Sequence, residues 1–203
     1  DVIRRQRQMC IRDRLYRAGQ NCNEESVWET HLVFLGRSKI MEEYQLVKAE
    51  SIHKDFIIRL NSENMPAVGG LDEKSFNRFL ECSDYFKLLK YDNQFIGFLI
   101  GVLPNRLYNS VNYKWFEKKY KSFIYIDRIV LSFRYQNKGF GTLFYDDLKN
   151  CFKDSCDAMT CEINIIPKNY ISMKFHKKYG FKEVGKQRTE NGKKLVSMQL
   201  LLF

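Results

Sequence analysis

A run of strand-forming residues, Ser122-Phe-Ile-Tyr-Ile-Asp-Arg-Ile-Val-Leu-Ser132, passes within a few residues into Gln136-Asn-Lys-Gly139-Phe-Gly141-Thr142, which opens an amphipathic helix. A strand feeding a helix through a glycine-rich turn points to an α/β arrangement in the middle of the chain. It also makes an anion site. Glycines at 139 and 141 let main-chain N–H groups converge at a helix N-terminus, where unsatisfied donors and the helix dipole favour negative charge. Lys138 adds a full positive charge. A lone Gly-x-Gly mostly punctuates turns, so its surroundings decide whether it means more.

Those surroundings include a second strand-like run, Met159 to Asn164, followed by Asn169-Tyr-Ile-Ser172-Met-Lys-Phe175-His176-Lys-Lys-Tyr-Gly180-Phe181. Taken together the two segments resemble the GNAT N-acetyltransferase superfamily. Gln136, Gly139 and Gly141 match its [Gln/Arg]-x-x-Gly-x-[Gly/Ala] loop, and Asn169, Ser172, Phe175, His176, Gly180 and Phe181 match its later Asn-x-x-Ser-x-x-Phe-[His/Tyr]…Gly-Phe pattern. Two motifs in order, about thirty residues apart, are more specific than either alone. The resemblance spans roughly residues 44–203, and Tyr125-Ile-Asp-Arg128 and Gly192 to Met198 look like a bacterial branch of such acetyltransferases.

The rest of the chain supplies the elements this fold would need. Tyr44–Ala49 alternates like a strand, and Ser51 can cap a helix through Phe56, Ile57 and Leu60. Residues 61–70 read as a loop, and Asp72 caps a second helix with Phe76, Phe79 and Leu80 on one face. Tyr85–Tyr91 and Phe95–Leu103 read as a hairpin through Asp92-Asn93, and 104–121 as a functional loop or short helix. Phe144, Leu148, Cys151 and Phe152 mark the buried face of the helix after the glycine loop. Strand 158–165 and helix 169–179 follow, and Asn191-Gly192 signals a type I′ hairpin between 182–188 and 194–203. The expected product is a single α/β (α+β) domain, a mixed central sheet flanked by helices on both faces. The resemblance implies a sheet that splays open beside its central strand.

Composition narrows the function classes. At 44% hydrophobic and 15% aromatic residues the chain is globular, and no apolar run approaches a bilayer-spanning length. The six cysteines show neither a Cys-x-x-Cys clip nor zinc-site spacing, which favours reduced, buried thiols and no metal site. Arg4 to Arg14 resembles a translated sequencing-library adapter, so residues 1–40 are expected to be a non-native or disordered leader and Met41 the start of a 41–203 domain. Eight Lys/Arg against five Asp/Glu in the leader leave +7 of the net +10 on the domain. A basic surface suits an anionic cofactor or RNA, but it also describes a solvated lysine-rich face.

By the resemblance, the activity is transfer of an acetyl group from acetyl-coenzyme A to a primary amine, directly in a ternary complex. The phosphates would lie on Gln136, Asn137, Lys138, Gly139, Phe140, Gly141 and Thr142. The thioester carbonyl would meet a main-chain N–H of Ile129, Val130 or Leu131, Asn169 and Ser172 would hydrogen-bond the pantetheine arm, and Phe175 would also line the cofactor. Asn169 is otherwise a helix N-cap. Asp127 on the central strand, sharing a face with Tyr125 and Ile129, is the expected base, with an ion pair as its plainer reading and Glu162 and Asn164 in reserve. His176 stands where the family's usual acid is a tyrosine, and it either protonates the leaving sulfur or only hydrogen-bonds the cofactor or packs. The acceptor would be a small-molecule or peptide amine selected by loops 61–70 and 104–121. A cytoplasmic enzyme, monomeric or homodimeric, with no membrane or nucleic-acid partner, fits these features. The alternative is a non-catalytic module that binds acyl-coenzyme A or RNA.

Overall fold

The computed structural model of the chain describes residues 44–203, so the expectations for the leader and for Met41 lie outside the described residues. The elements run β1 (Tyr44–Lys48), α1 (Lys54–Glu63), α2 (Glu73–Cys82), β2 (Tyr85–Tyr91), β3 (Gln94–Val102), α3 (Val111–Glu117) and β4 (Ile124–Leu131). They continue with α4 (Phe140–Phe152), β5 (Ala158–Ile166), α5 (Tyr170–Tyr179), β6 (Lys182–Thr189) and β7 (Lys194–Leu202). Asp72 caps α2 by accepting from the Ser75 N–H at 2.8 Å, as its sequence promises. Ser51 instead opens a short 3-10 turn, Ser51–His53, that precedes α1. The expected loop at 61–70 begins inside α1, whose last turn buries Asn61. Segment 104–121 folds around α3, capped by Ser110.

The seven strands of the described residues form one sheet in the order β1-β2-β3-β4-β5-β7-β6. From β2 onward the pairing is antiparallel except between β4 and β5. That parallel pair is in register only at Ile124–Met159 and Tyr125–Thr160, although β4 continues to Leu131 and β5 to Ile166. The sheet therefore opens between its two central strands. Asp92 and Asn93 both adopt positive φ in the β2–β3 turn, the geometry of a two-residue hairpin. The β6–β7 connection differs from the expected two-residue turn. Thr189 pairs with Lys194, and the left-handed residues are Glu190, Asn191 and Gly192, which lengthens the loop.

Register assigns the two faces. Phe86, Leu88, Phe98, Ile100, Val102, Tyr125, Val130, Val196 and Met198 form one core with Ile57 and Leu60 of α1, Phe76 and Phe79 of α2, and Tyr113 and Phe116 of α3. Each fully buried phenylalanine there contributes about 2–3 kcal/mol of apolar transfer. Helices α4 and α5 cover the opposite face, where a Cβ on Gly141 would lie 3.7 Å from Ile129 Cδ1. The pairing passes from Ile100–Arg128 to Gly101–Ile126, which leaves Asp127 as an extra, bulged residue in β4. The bulge reverses the alternation. Tyr125 and Ile129, expected on one face with Asp127, point to opposite faces. No helix among the described residues is long and apolar enough to cross a membrane.

Candidate active site

Beyond Tyr125, the side of β4 turned toward β5 has no strand partner. The Ser132 N–H donates to the Ile96 carbonyl at 2.8 Å, so by antiparallel alternation Val130 also turns its N–H to β3. Ile129 and Leu131 then face the opening. Consistent with this, the Leu131 carbonyl accepts from Gln136 Nε2 at 3.0 Å rather than from a strand. Of the three main-chain donors read from the sequence, the register keeps Ile129 and Leu131 and commits Val130 to the sheet.

The glycine loop sits at the end of this open edge. Asn137 and Gly139 adopt φ 59° and 90°, and Gly139 occupies the N-cap position of α4 without any side-chain cap. Thr142 and Leu143 already donate to the Gly139 carbonyl, and no acidic residue stands in the first turn. The N–H groups before them are left for an anion, beside Phe140 and the exposed Lys138, whose Nζ lies 5.6 Å from the Tyr135 ring centroid. The two glycines have different reasons. At Gly139 a Cβ would meet nothing within 4 Å, so only its positive φ requires glycine. At Gly141 a Cβ would come within 3.1 Å of the Phe175 ring, so that glycine lets α4 approach α5. Gln136 turns inward, on Leu131 and, at 3.4 Å, on Asn64.

Helix α5 is tied within itself. Asn169 accepts from the Ser172 N–H at 3.0 Å, which makes it the N-cap of this helix. His176 is buried, with Nδ1 2.8 Å from the Ser172 carbonyl and 3.2 Å from Ser172 Oγ, and Nε2 2.7 Å from the Tyr145 hydroxyl. A carbonyl can only accept, so Nδ1 carries the proton and Nε2 accepts from Tyr145. Burial lowers the His176 pKa to about 4, partly offset by the Ser172 carbonyl. The imidazole is therefore neutral at pH 7, enclosed by Tyr145, Phe175 and Phe181.

This geometry gives an expected result for His176→Phe. The Tyr145 hydroxyl loses its acceptor, which costs about 1–3 kcal/mol at pH 7. A depressed folded pKa means stability fully present above about pH 6.5 and lost as pH falls toward 4. Wild type thus gives up about 2–3 kcal/mol by pH 4.5, and the gap between the two proteins narrows there. Urea unfolding at the two pH values measures both. A kcat within a few-fold of wild type accompanies packing, whereas a drop of about 10²–10⁴-fold at unchanged stability would restore His176 as the acid.

On the core face, beside the opening, two carboxylates meet two tyrosines. Tyr108 Oη donates to Asp127 Oδ1, and Arg128 Nε donates to Asp127 Oδ2 at 2.7 Å. Tyr125 Oη donates to Glu162 Oε2 at 2.7 Å. Burial raises the Glu162 pKa to about 7, with the Asp127 charge adding to the rise and the Tyr125 hydrogen bond opposing it. Asn164, on the same face, reaches the Ala67 carbonyl at 3.4 Å. Arg128 bridges this cluster to the α1–α2 connection through Asn61 Oδ1 at 2.8 Å and the Gly69 carbonyl at 3.0 Å. Tyr108, Tyr125 and Arg128 were given no role in the site by sequence reasoning. Tyr125 was placed on the Asp127 face, but Tyr108, from the 104–121 segment, meets Asp127 only through the tertiary fold.

A family model described as an acetyltransferase (GNAT) domain matches residues 68–202. The ribosomal-protein-S18-alanine N-acetyltransferase from Escherichia coli is similar in structure with TM-score 0.58 and 14% identity, covering 78% of this chain and 93% of that one. Ard1 from Thermoplasma volcanium gives 0.63 and 12%, covering 79% and 97%. Arabidopsis thaliana Naa50, in complex with the bisubstrate analogue CoA-Ac-MVNAL, gives 0.60 and 15%, covering 79% and 99%. No curated protein matches the chain. The solved structures speak for the fold, a seven-stranded mixed sheet with an open centre. The family model covers well over half of the sequence, and by that match the chain belongs to the GNAT acetyltransferase family.

Proposed function

We propose that the chain transfers an acetyl group from acetyl-coenzyme A to a primary amine, directly in a ternary complex, with Glu162 as the base. One observation carries the reading. The unpartnered edge of β4 lies between an uncapped helix N-terminus at Gly139 and, on β5, the half-buried Glu162, whose carboxyl pKa is raised by desolvation to about 7. Strand-edge donors fit an extended amide-bearing arm, and helix N–H groups with Lys138 fit a pyrophosphate. Solved relatives support the donor: one from Elizabethkingia anophelis has acetyl-CoA bound, with TM-score 0.56, 14% identity and coverage of 79% and 99%.

When bound, acetyl-coenzyme A supplies a thioester whose C–S bond breaks as the amine nitrogen forms the new amide bond. Glu162 takes the proton that the acceptor ammonium must lose. The Ile129 and Leu131 N–H groups polarise the carbonyl. Asp127, the base expected from the sequence, has both oxygens engaged by Tyr108 and Arg128, so in this reading it anchors Arg128. With His176 neutral and both its nitrogens occupied, solvent protonates the leaving sulfur. The acceptor amine enters on the face bounded by residues 61–70 and 104–110, and both peptide and small-molecule amines suit it.

The test is release of free coenzyme A from acetyl-coenzyme A against a panel of small amines and peptides with free N-termini. Release with no member of the panel, alongside strongly salt-dependent RNA binding, would favour a non-catalytic module. A companion variant isolates the phosphate loop. Gly139→Val forces a β-branched residue to positive φ without any packing clash, so acetyl-coenzyme A affinity falls at least about tenfold, while stability drops only by the backbone strain, about 1–2 kcal/mol, and the domain stays folded. Undiminished affinity by calorimetry would remove the loop from the cofactor site. Gly141 is the wrong position for this test, because its substitution disturbs Phe175.

A further inference from the structure

Tyr125 stands at the fork of the sheet. It pairs with Thr160 in the last register between β4 and β5, and beyond it the two strands part. Glu162 lies two residues farther along β5, on the same face as Thr160, so the tyrosine reaches past the last closed pair toward the carboxyl. Its Oη donates to Glu162 Oε2 at 2.7 Å. Packing holds the ring in place. It is fully buried, edge-on to Tyr113 with centroids 5.6 Å apart, and flanked by Phe116 at 6.1 Å and Tyr108 at 6.4 Å. Tyr113 is fixed in turn, its Oη donating to the Leu103 carbonyl at 2.7 Å and accepting from the Arg106 N–H at 3.0 Å.

We infer that Tyr125 is a positioning residue, whose hydroxyl holds the Glu162 carboxylate at one oxygen so that the other takes the proton of the acceptor ammonium. The inference rests on the reading of Glu162 as the base. A glutamate side chain has several rotatable bonds, and beside the opening β4 supplies no paired strand to confine them. One donor on a packed ring removes that freedom. Burial pushes the Tyr125 hydroxyl well above the usual tyrosine range, so it stays a donor and does not itself carry the reaction's proton. The other ionisable groups facing Glu162 are Asp127 on β4, Tyr108 ahead of α3 and Cys161 on β5. Asp127 is paired with Arg128, burial keeps the Tyr108 hydroxyl and the Cys161 thiol protonated, and the register partner on β7 is the neutral Met198. The group left to titrate near pH 7 is Glu162 itself.

The experiment compares Tyr125→Phe, which keeps the ring and removes only the hydroxyl, with Tyr125→4-aminophenylalanine, which restores a weaker donor. Rates are measured against pH on the panel amine that best releases coenzyme A, and the Glu162 carboxyl is followed by carbon NMR of the full chain, its signal assigned by loss in Glu162→Gln. In the Phe variant the Glu162 midpoint and the acidic limb should both rise by about one unit, since the lost bond favours the ionised form. On the alkaline plateau, where the carboxylate is ionised in every variant, kcat should stay about tenfold down with acetyl-coenzyme A affinity unchanged, and the aminophenylalanine variant should recover part of it. Added to Glu162→Gln, Tyr125→Phe should cost nothing further. A normal plateau kcat in the folded Phe variant, or in the aminophenylalanine variant should Phe not fold, overturns the inference, because the hydroxyl would then only tune the carboxyl. An additive loss on Glu162→Gln overturns it as well. Undiminished transfer by Glu162→Gln overturns the base reading instead, and the positioning role falls with it.

Discussion

Glu162→Gln lowers kcat/KM by about 10²–10⁴-fold, the usual contribution of a positioned general base, and abolishes the acidic limb of the pH profile. In wild type that limb lies near pH 7, because burial raises the carboxyl to about that value and only its ionised form can accept a proton. The stability effect has the opposite sense. A folded pKa above the unfolded one stabilises fully below about pH 4.5, and this contribution is lost as pH rises through about 7. Glu162→Gln should therefore gain relative stability above neutrality while losing activity. Rate against pH, paired with unfolding at pH 5 and pH 8, reads both. A Gln variant that keeps the limb would return the base role to Asp127 or to water.

The largest effect on stability is expected at Arg128. Its guanidinium is nearly enclosed, with side-chain exposures of 11% for Arg128 and 6% for Asp127. It also lies 5.5 Å from the Phe79 ring centroid. Arg128→Met leaves the Asp127 carboxylate buried without its cation and releases Asn61 and the Gly69 carbonyl, at a cost of about 3–5 kcal/mol. Adding Asp127→Asn removes the stranded charge while an oxygen remains for Tyr108 to donate to, so the double variant recovers much of the loss. Denaturant unfolding of the two singles and the double gives the coupling. Additive losses would show that the pair does not act as a unit. An acceptor KM that rises with Arg128→Met beyond the change in stability would follow from loosening the α1–α2 connection.

Local rules read from residue types held where local physics dominates. Asp72 caps α2, and Asp92-Asn93 turns the β2–β3 hairpin. Phe144 and Leu148 of α4 are buried, whereas Cys151, expected on the same face, is exposed near the end of the helix, and Phe152 is only half-buried. Ser51 and the β6–β7 turn slipped by a few residues, because competing turn geometries of similar energy are decided by the strands and helices they must join.

Periodicity, turn residues and glycine at fixed spacing were enough for the family, for the order of strands and helices other than α3, and for the glycine turn that opens α4. Tertiary structure decided which groups the site can use. One bulged residue at Asp127 inverts the alternation of β4, so counting in twos from Tyr125 past Asp127 puts Ile129 on the wrong face. The split between β4 and β5 selects Ile129 and Leu131 over Val130, because only one set of main-chain donors lacks a strand partner. Burial, set by elements far apart in sequence, pushes Glu162 up and His176 down. A carboxylate's readiness to take a proton depends on its desolvation and neighbouring charges, and those are assembled only when α3, β4 and β5 come together.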